Sequence, residues 1–139
     1  MCITYTIYSR AKLNFKLFYK NTFIKGGIEK MKKIISDYLK NFEEETQNRF
    51  CILYDLIYEG NIESIDEKLW AKLPTFYVDE KFIRIIPFKD HINIETKSID
   101  SHRNELAGYK ITPKGMLQIF HNQQIPCEAL KIIFKESFQ

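Results

Sequence analysis

The chain has 139 residues, 45% of them hydrophobic and 28% charged, and a formal net charge of +3. That is the make-up of one globular domain with a core of ordinary size, and no apolar run approaches the roughly 18 residues that span a bilayer. The charge is uneven: residues 1–30 hold Arg10, Lys12, Lys16, Lys20, Lys25 and Lys30 against one acid, Glu29, which leaves 15 basic and 17 acidic residues in 31–139. A mildly acidic body lacks the basic face that nucleic-acid binding requires, so neither a nucleic-acid nor a membrane partner is expected.

Residues 1–30 are basic and aromatic without a period, and they lack the continuous apolar core and small-residue cleavage site of a signal peptide. Lys25-Gly26-Gly27 is what an A-rich ribosome-binding site would encode if translated in frame, and Met31 opens a conventional helical pattern. Residues 1–30 are therefore expected to be translated leader, with the folded domain in 31–139. N-terminal peptide mass spectrometry tests this: peptides from upstream of Lys30 in native protein would refute it.

Ile34, Ile35, Tyr38, Leu39 and Phe42 fall at helical spacing and predict a helix over 31–42. Glu43, Glu44 and Glu45 stand where a second helix would begin, suited to the positive end of its dipole. Phe50, Leu53, Tyr54 and Ile57 then form an apolar stripe, Gly60-Asn61 caps it, and 62–66 is a linker. Three β-branched and aromatic runs follow within 69–95, separated only by Asp79-Glu80 and Lys89-Asp90. Breaks that short permit hairpins, so the runs are expected to pair antiparallel. A short helix over 100–108, a strand over 115–120 with Leu117 and Ile119 on one face, and a helix opened by Pro126 complete the pattern. Leu130, Ile133 and Phe134 form the inner stripe of that last helix. This order predicts an α+β fold, an antiparallel sheet with helices packed on one face.

Cys2, Cys51 and Cys127 are odd in number and form no C-x-x-C pair, which argues against a disulfide framework or a zinc site and fits a reducing cytoplasm. Cys51 reads as a small core residue. His91, His102 and His121 are isolated, and no Gly-rich phosphate loop, G-x-S-x-G or H-E-x-x-H occurs. Nothing in the pattern suggests an enzyme.

Two residue sets have metal-binding chemistry. His91, Asn93 and Glu95 alternate along one strand and so share a face; an imidazole, an amide oxygen and a carboxylate suit a metal ion, while the plainer reading is a solvated sheet face. Asp37, Glu43, Glu44 and Glu45 supply carboxylates for weak, hard-ion binding, against the plainer reading of a dipole-stabilised helix start. Lys72, Lys89, Lys110 and Lys114 suit an anionic ligand if they converge. Trp70 and Tyr77 either line a pocket on the open sheet face or belong to the core.

Five segments match, in order and spacing, those of a known family: Leu73-Pro74-Thr75-Phe76-Tyr77, Phe88-Lys89-Asp90-His91-Ile92, Leu106-Ala107-Gly108-Tyr109-Lys110, Lys114-Gly115-Met116-Leu117-Gln118-Ile119 and the Ile125-Pro126 helix start. Over about 31–138 the chain resembles the bacterial YdhG-like family, often labelled a frataxin-like intracellular iron chaperone. It departs at Lys72, where the family usually has a small residue. The resemblance implies a frataxin-like sandwich, a cytoplasmic location, iron as cargo, and iron–sulfur or haem assembly proteins as recipients. It also implies surface carboxylates as ligands, here Asp37, Glu43, Glu44 and Glu45. The leading expectation is thus a non-enzymatic iron carrier. The alternative is a small-molecule-binding or protein-interaction module using the open sheet face at Trp70, Lys89, His91, Asn93 and Glu95.

Overall fold

The computed structural model describes residue 28, residues 30–59 and residues 64–139. The elements run α1 (Lys33–Leu39), α2 (Glu44–Tyr58), β1 (Asp66–Trp70), β2 (Leu73–Val78), β3 (Lys81–Pro87), β4 (His91–Glu95), a 3-10 helix (Lys97–His102), β5 (Lys110–Ile111), β6 (Leu117–Phe120) and α3 (Cys127–Ser137). The strands form one six-stranded sheet in the order β1-β2-β3-β4-β6-β5. Every neighbouring pair is antiparallel, so the α+β architecture expected from the pattern is present.

Alternation decides which side is the core. Phe76 and Val78, Ile83 and Ile85, Ile92 and Ile94, and Leu117 and Ile119 all point to one face and are buried. Against them pack Phe50, Leu53, Tyr54 and Ile57 of α2 and Leu130, Ile133 and Phe134 of α3, the stripes that helical spacing marks. Cys51 is fully buried in the same cluster. The result is two layers, with the opposite sheet face bare of helices among the described residues.

The structure refines several expectations. The first apolar run of the meander is two strands: a two-residue turn at Ala71-Lys72 folds β1 onto β2 and pairs Trp70 with Leu73. Both turn residues have positive φ, 48° and 64°, as the tight hairpin turn whose twist matches the strands requires. Neither is Gly or Asn, so the sequence carries no turn signal there. The short helix expected over 100–108 is a 3-10 helix that begins earlier, at Lys97, and continues as turns to Gly108, whose φ is 92°. β5 is only two residues long and goes unseen in the sequence. The first helix ends at Leu39 rather than Phe42.

The Gly60-Asn61 cap lies outside the described residues, as does most of the expected leader. Within that leader Ile28 packs partly against the core, and the Lys30 carbonyl accepts a hydrogen bond from the Tyr54 hydroxyl at 3.3 Å.

Candidate functional site

Strand register turns the bare face into rows. Trp70 lies opposite Leu73, and Ile86, Asn93, Gln118 and Lys110 continue a row across β3, β4, β6 and β5. The next row toward the β2–β3 turn holds Lys68, Thr75, Arg84 and Glu95. At the other end Phe88, His91 and Phe120 close the face. The His91 ring stacks on Phe88 with centroids 4.4 Å apart and lies 5.5 Å from Phe120.

Arg84 is the centre of the β1–β3 half. Its guanidinium sits 4.2 Å from the Trp70 ring centroid and 4.6 Å from that of Phe82. Its Nε donates to Thr75 Oγ1 at 3.1 Å, and its Nη1 pairs with Glu95. The arginine is thereby only 6% exposed although it points away from the core. A cation between two ring faces, satisfied by a carboxylate and a hydroxyl, is stable out of water. Trp70 nevertheless stays 54% exposed, Phe88 40% and Phe120 36%. The pattern of alternation places Phe82 and Arg84 on this face, but no sequence signal shows that Arg84 would be buried there.

The structure puts Trp70, His91, Asn93 and Glu95 on one sheet face, with Lys89 in the β3–β4 turn at its end, but does not bring them into one metal site. Glu95 is engaged by Arg84. His91 Nδ1 is 2.7 Å from Asp90 Oδ1, and this contact holds the Asp90 carboxyl below its ordinary range. Asn93 lies between them with a buried Oδ1 that has no hydrogen-bond partner. The partners taken by His91 and Glu95 thus point away from a shared centre.

The acidic candidates separate as well. Asp37, on α1, is held by Lys33 and by Lys40 at 2.9 Å, and those two ammonium groups lower its pKa. Glu43, Glu44 and Glu45 are exposed at the start of α2. Among the described residues no group of three or more His, Cys, Asp or Glu side chains is placed to hold a metal ion.

The lysines divide by sheet end. Lys72 in the β1–β2 turn and Lys89 in the β3–β4 turn share the end that carries Phe88, His91 and Phe120. Lys114, in the β5–β6 turn, lies at the opposite end, and Lys110 on the β5 edge. All four are exposed. Tyr77 stays on the bare face beside Phe82, with ring centroids 6.2 Å apart.

One hydroxyl–imidazole pair escaped the sequence reading. Thr46 Oγ1 on α2 is 2.9 Å from His121 Nε2, and Thr46 also donates to the Phe88 carbonyl at 3.5 Å. Thr46 is fully buried, so no substrate reaches the hydroxyl; its two contacts tie α2 to the end of β6 and to the β3–β4 turn.

No family model matches this chain, and no solved structure matches it. The rhoptry neck protein 2-like protein 2 of Toxoplasma gondii is 28% identical over 68 residues, 49% of this chain. The matched stretch is 6% of that protein's length. The likeness is too short to show a family.

Proposed function

We propose that this protein is a non-catalytic binding module whose ligand lies on the bare sheet face. The observation that carries this reading is the exposure of Trp70, Phe88 and Phe120 on a face that no described helix covers. Large apolar side chains gathered on one exposed surface mark interaction sites more often than scattered ones do. The Arg84 sandwich fixes the Trp70 ring in place, which lowers the entropy lost when a ligand stacks on it.

The test is a screen by 1H–15N NMR with mixtures of small aromatic compounds and short peptides. Ligands should move amides of β1, β3, β4 and β6. Hits confined to the helices, or none at all, would overturn the reading.

Iron carriage is a second reading, supported by the five YdhG-like segments and by the exposed run Glu43-Glu44-Glu45. Oxygen ligands with retained water bind iron loosely enough for a donor to release it. Anaerobic titration with ferrous iron tests it. Saturable binding that Glu43→Lys, Glu44→Lys and Glu45→Lys together abolish, and His91→Ala leaves intact, would support the carrier. No saturable binding by the parent protein would remove it.

A further inference from the structure

We propose that His121 is a proton-operated latch at one end of the sheet. When its imidazole takes up a proton it leaves Thr46, and the β3–β4 turn and the end of β6 come loose from α2, carrying the Phe88–His91–Phe120 row with them. The latch does not depend on what the bare face binds and its test uses no ligand, so its failure would leave the binding reading untouched.

One hydroxyl holds the corner. Thr46, fully buried on α2, donates to the Phe88 carbonyl at 3.5 Å and lies 2.9 Å from His121 Nε2. A hydroxyl has a single proton to give. With that proton on Phe88, Thr46 Oγ1 accepts from Nε2–H, and His121 is the neutral tautomer with a bare Nδ1. That Nδ1 is buried and has no hydrogen-bond partner among the described residues. An imidazolium has two N–H donors, and the corner offers an acceptor to only one of them. A proton on Nδ1 would make a buried, charged donor without a partner, which costs more than an unpaired neutral group.

The surrounding charges do not rescue it. Glu45 and Arg49 of α2, Asp90 of the β3–β4 turn and His91 of β4 lie around the ring. Arg49 is fixed there, with Nη2 donating to the Gln123 carbonyl at 2.7 Å and to the Phe120 carbonyl at 3.2 Å, so a second cation beside it is opposed. Asp90 Oδ1 is engaged by His91 Nδ1 at 2.7 Å rather than by His121. Burial and Arg49 outweigh the two carboxylates and hold the His121 pKa below 6.5. The ring therefore takes its proton more readily once it has swung out to water, where its pKa is ordinary.

The backbone carries the change to the bare face. The His121 N–H donates to the Asp90 carbonyl at 2.9 Å, and the Phe88 N–H donates to the His91 carbonyl at 2.9 Å. Phe120 immediately precedes His121, and its ring lies 5.5 Å from that of His91, which stacks on Phe88 at 4.4 Å. Each end of the row is thus held through the latch: Phe88 by the hydroxyl that His121 shares, Phe120 by the peptide bond to His121. Acid should open this corner locally while the sheet centre stays closed.

Hydrogen exchange read by 1H–15N NMR on the full chain tests the latch. Protection of the His121 and Phe88 amides, taken relative to Ile94 in the sheet centre, should fall as pH drops below 6.5. The fall should reach at most about tenfold per pH unit, because opening takes up one proton. The imidazole signals of His121 should titrate over the same range. His121→Asn keeps an amide for Thr46 but takes no proton, so relative protection should become independent of pH. Thr46→Val should lower it at every pH.

Three results would overturn the latch. His121 could titrate while the corner keeps its protection, in which case the ring turns without releasing anything. The corner could loosen in His121→Asn as it does in the parent and stop doing so in His91→Gln, which would assign the proton to His91. Ile94 could lose protection together with the corner, which would make the event acid unfolding of the whole domain. The parent protein alone decides the first and third, so a variant that fails to fold does not shield the proposal.

Discussion

Two charged side chains, Glu67 and Arg84, are buried at 7% and 6% exposure on opposite faces of the sheet. Glu67 points from the edge strand β1 toward α2, where it accepts from Tyr58 Oη at 2.8 Å, Tyr54 Oη at 3.2 Å and the Lys32 backbone N–H at 3.2 Å. Burial pushes the Tyr54 hydroxyl up to about 12, so both phenols remain protonated donors at neutral pH. Glu67→Ala strands the Tyr58 hydroxyl and the Lys32 N–H and leaves the Tyr54 hydroxyl only the Lys30 carbonyl, and it is expected to cost about 3 kcal/mol, since each unsatisfied buried group costs roughly 1–3 kcal/mol before water reaches it. An unchanged urea midpoint would show that the donors find other partners. On the bare face, Glu95→Gln leaves the Arg84 charge unmatched and is expected to cost roughly 3 kcal/mol. Cys51 gives a third residue-scale expectation. Burial raises its thiol to about 12, so a disulfide-exchange reagent should label it only after unfolding. Labelling of the folded protein at Cys51 would refute its placement in the core.

At the scale of elements, the β1–β2 hairpin carries strain. Ala71 and Lys72 both occupy the left-handed region, which costs residues with a Cβ of order 1 kcal/mol or more each. Asn-Gly is the pair that suits this turn. Ala71→Asn with Lys72→Gly is therefore expected to raise stability by about 1–2 kcal/mol, read as a higher urea midpoint with an unchanged slope. A lower midpoint would mean that the Lys72 side chain holds the turn by contacts outside it. The core elements behave conventionally. Phe50, Ile85 and Ile133 are fully buried, and each change to Ala should cost roughly 2–5 kcal/mol. Midpoints indifferent to Ile85→Ala would show that β3 faces the other way.

For the whole molecule, two histidines tie separate elements together and respond to pH in opposite senses. His121, just after β6, meets Thr46 of α2, among Glu45, Arg49, Asp90 and His91. Burial, and then the Arg49 charge, lower its pKa from 6.5. The unfolded chain therefore takes up the proton first, and the stability from this contact is complete above pH 6.5 and lost as pH falls through the folded value. His102 joins the 3-10 helix to α3, with Nε2 2.6 Å from Glu136 Oε2. Its hydrogen bond to Glu136 raises its pKa above 6.5, so its contribution is complete below pH 6.5 and lost as pH rises through the folded value. Urea midpoints across this range should form a dome. His121→Asn should flatten the acid side and His102→Gln the alkaline side. Identical profiles in both variants would show that neither histidine is linked to folding.

What the sequence determined is local and periodic. Helical spacing marked Phe50, Leu53, Tyr54 and Ile57, and Leu130, Ile133 and Phe134, as inner stripes, and alternation placed Ile92 and Ile94 opposite His91, Asn93 and Glu95. Those patterns follow from side-chain geometry along one element, and with the short Asp79-Glu80 and Lys89-Asp90 breaks they suffice for an antiparallel sheet under helices. Trp70 and His91 were also legible as candidates, because an aromatic and an imidazole in strands invite the question. Tertiary structure alone decided the partners. Register across five strands placed Trp70 over Arg84 and His91 between Phe88 and Phe120, and those contacts join residues that no local period connects. The same holds for Glu67, an acid that alternation puts on the Leu69 side of an edge strand without showing what would partner it there. The i, i+4 pair Tyr54 and Tyr58 was the signal available for it, and only the packing of α2 on β1 brings the two phenols to one carboxylate.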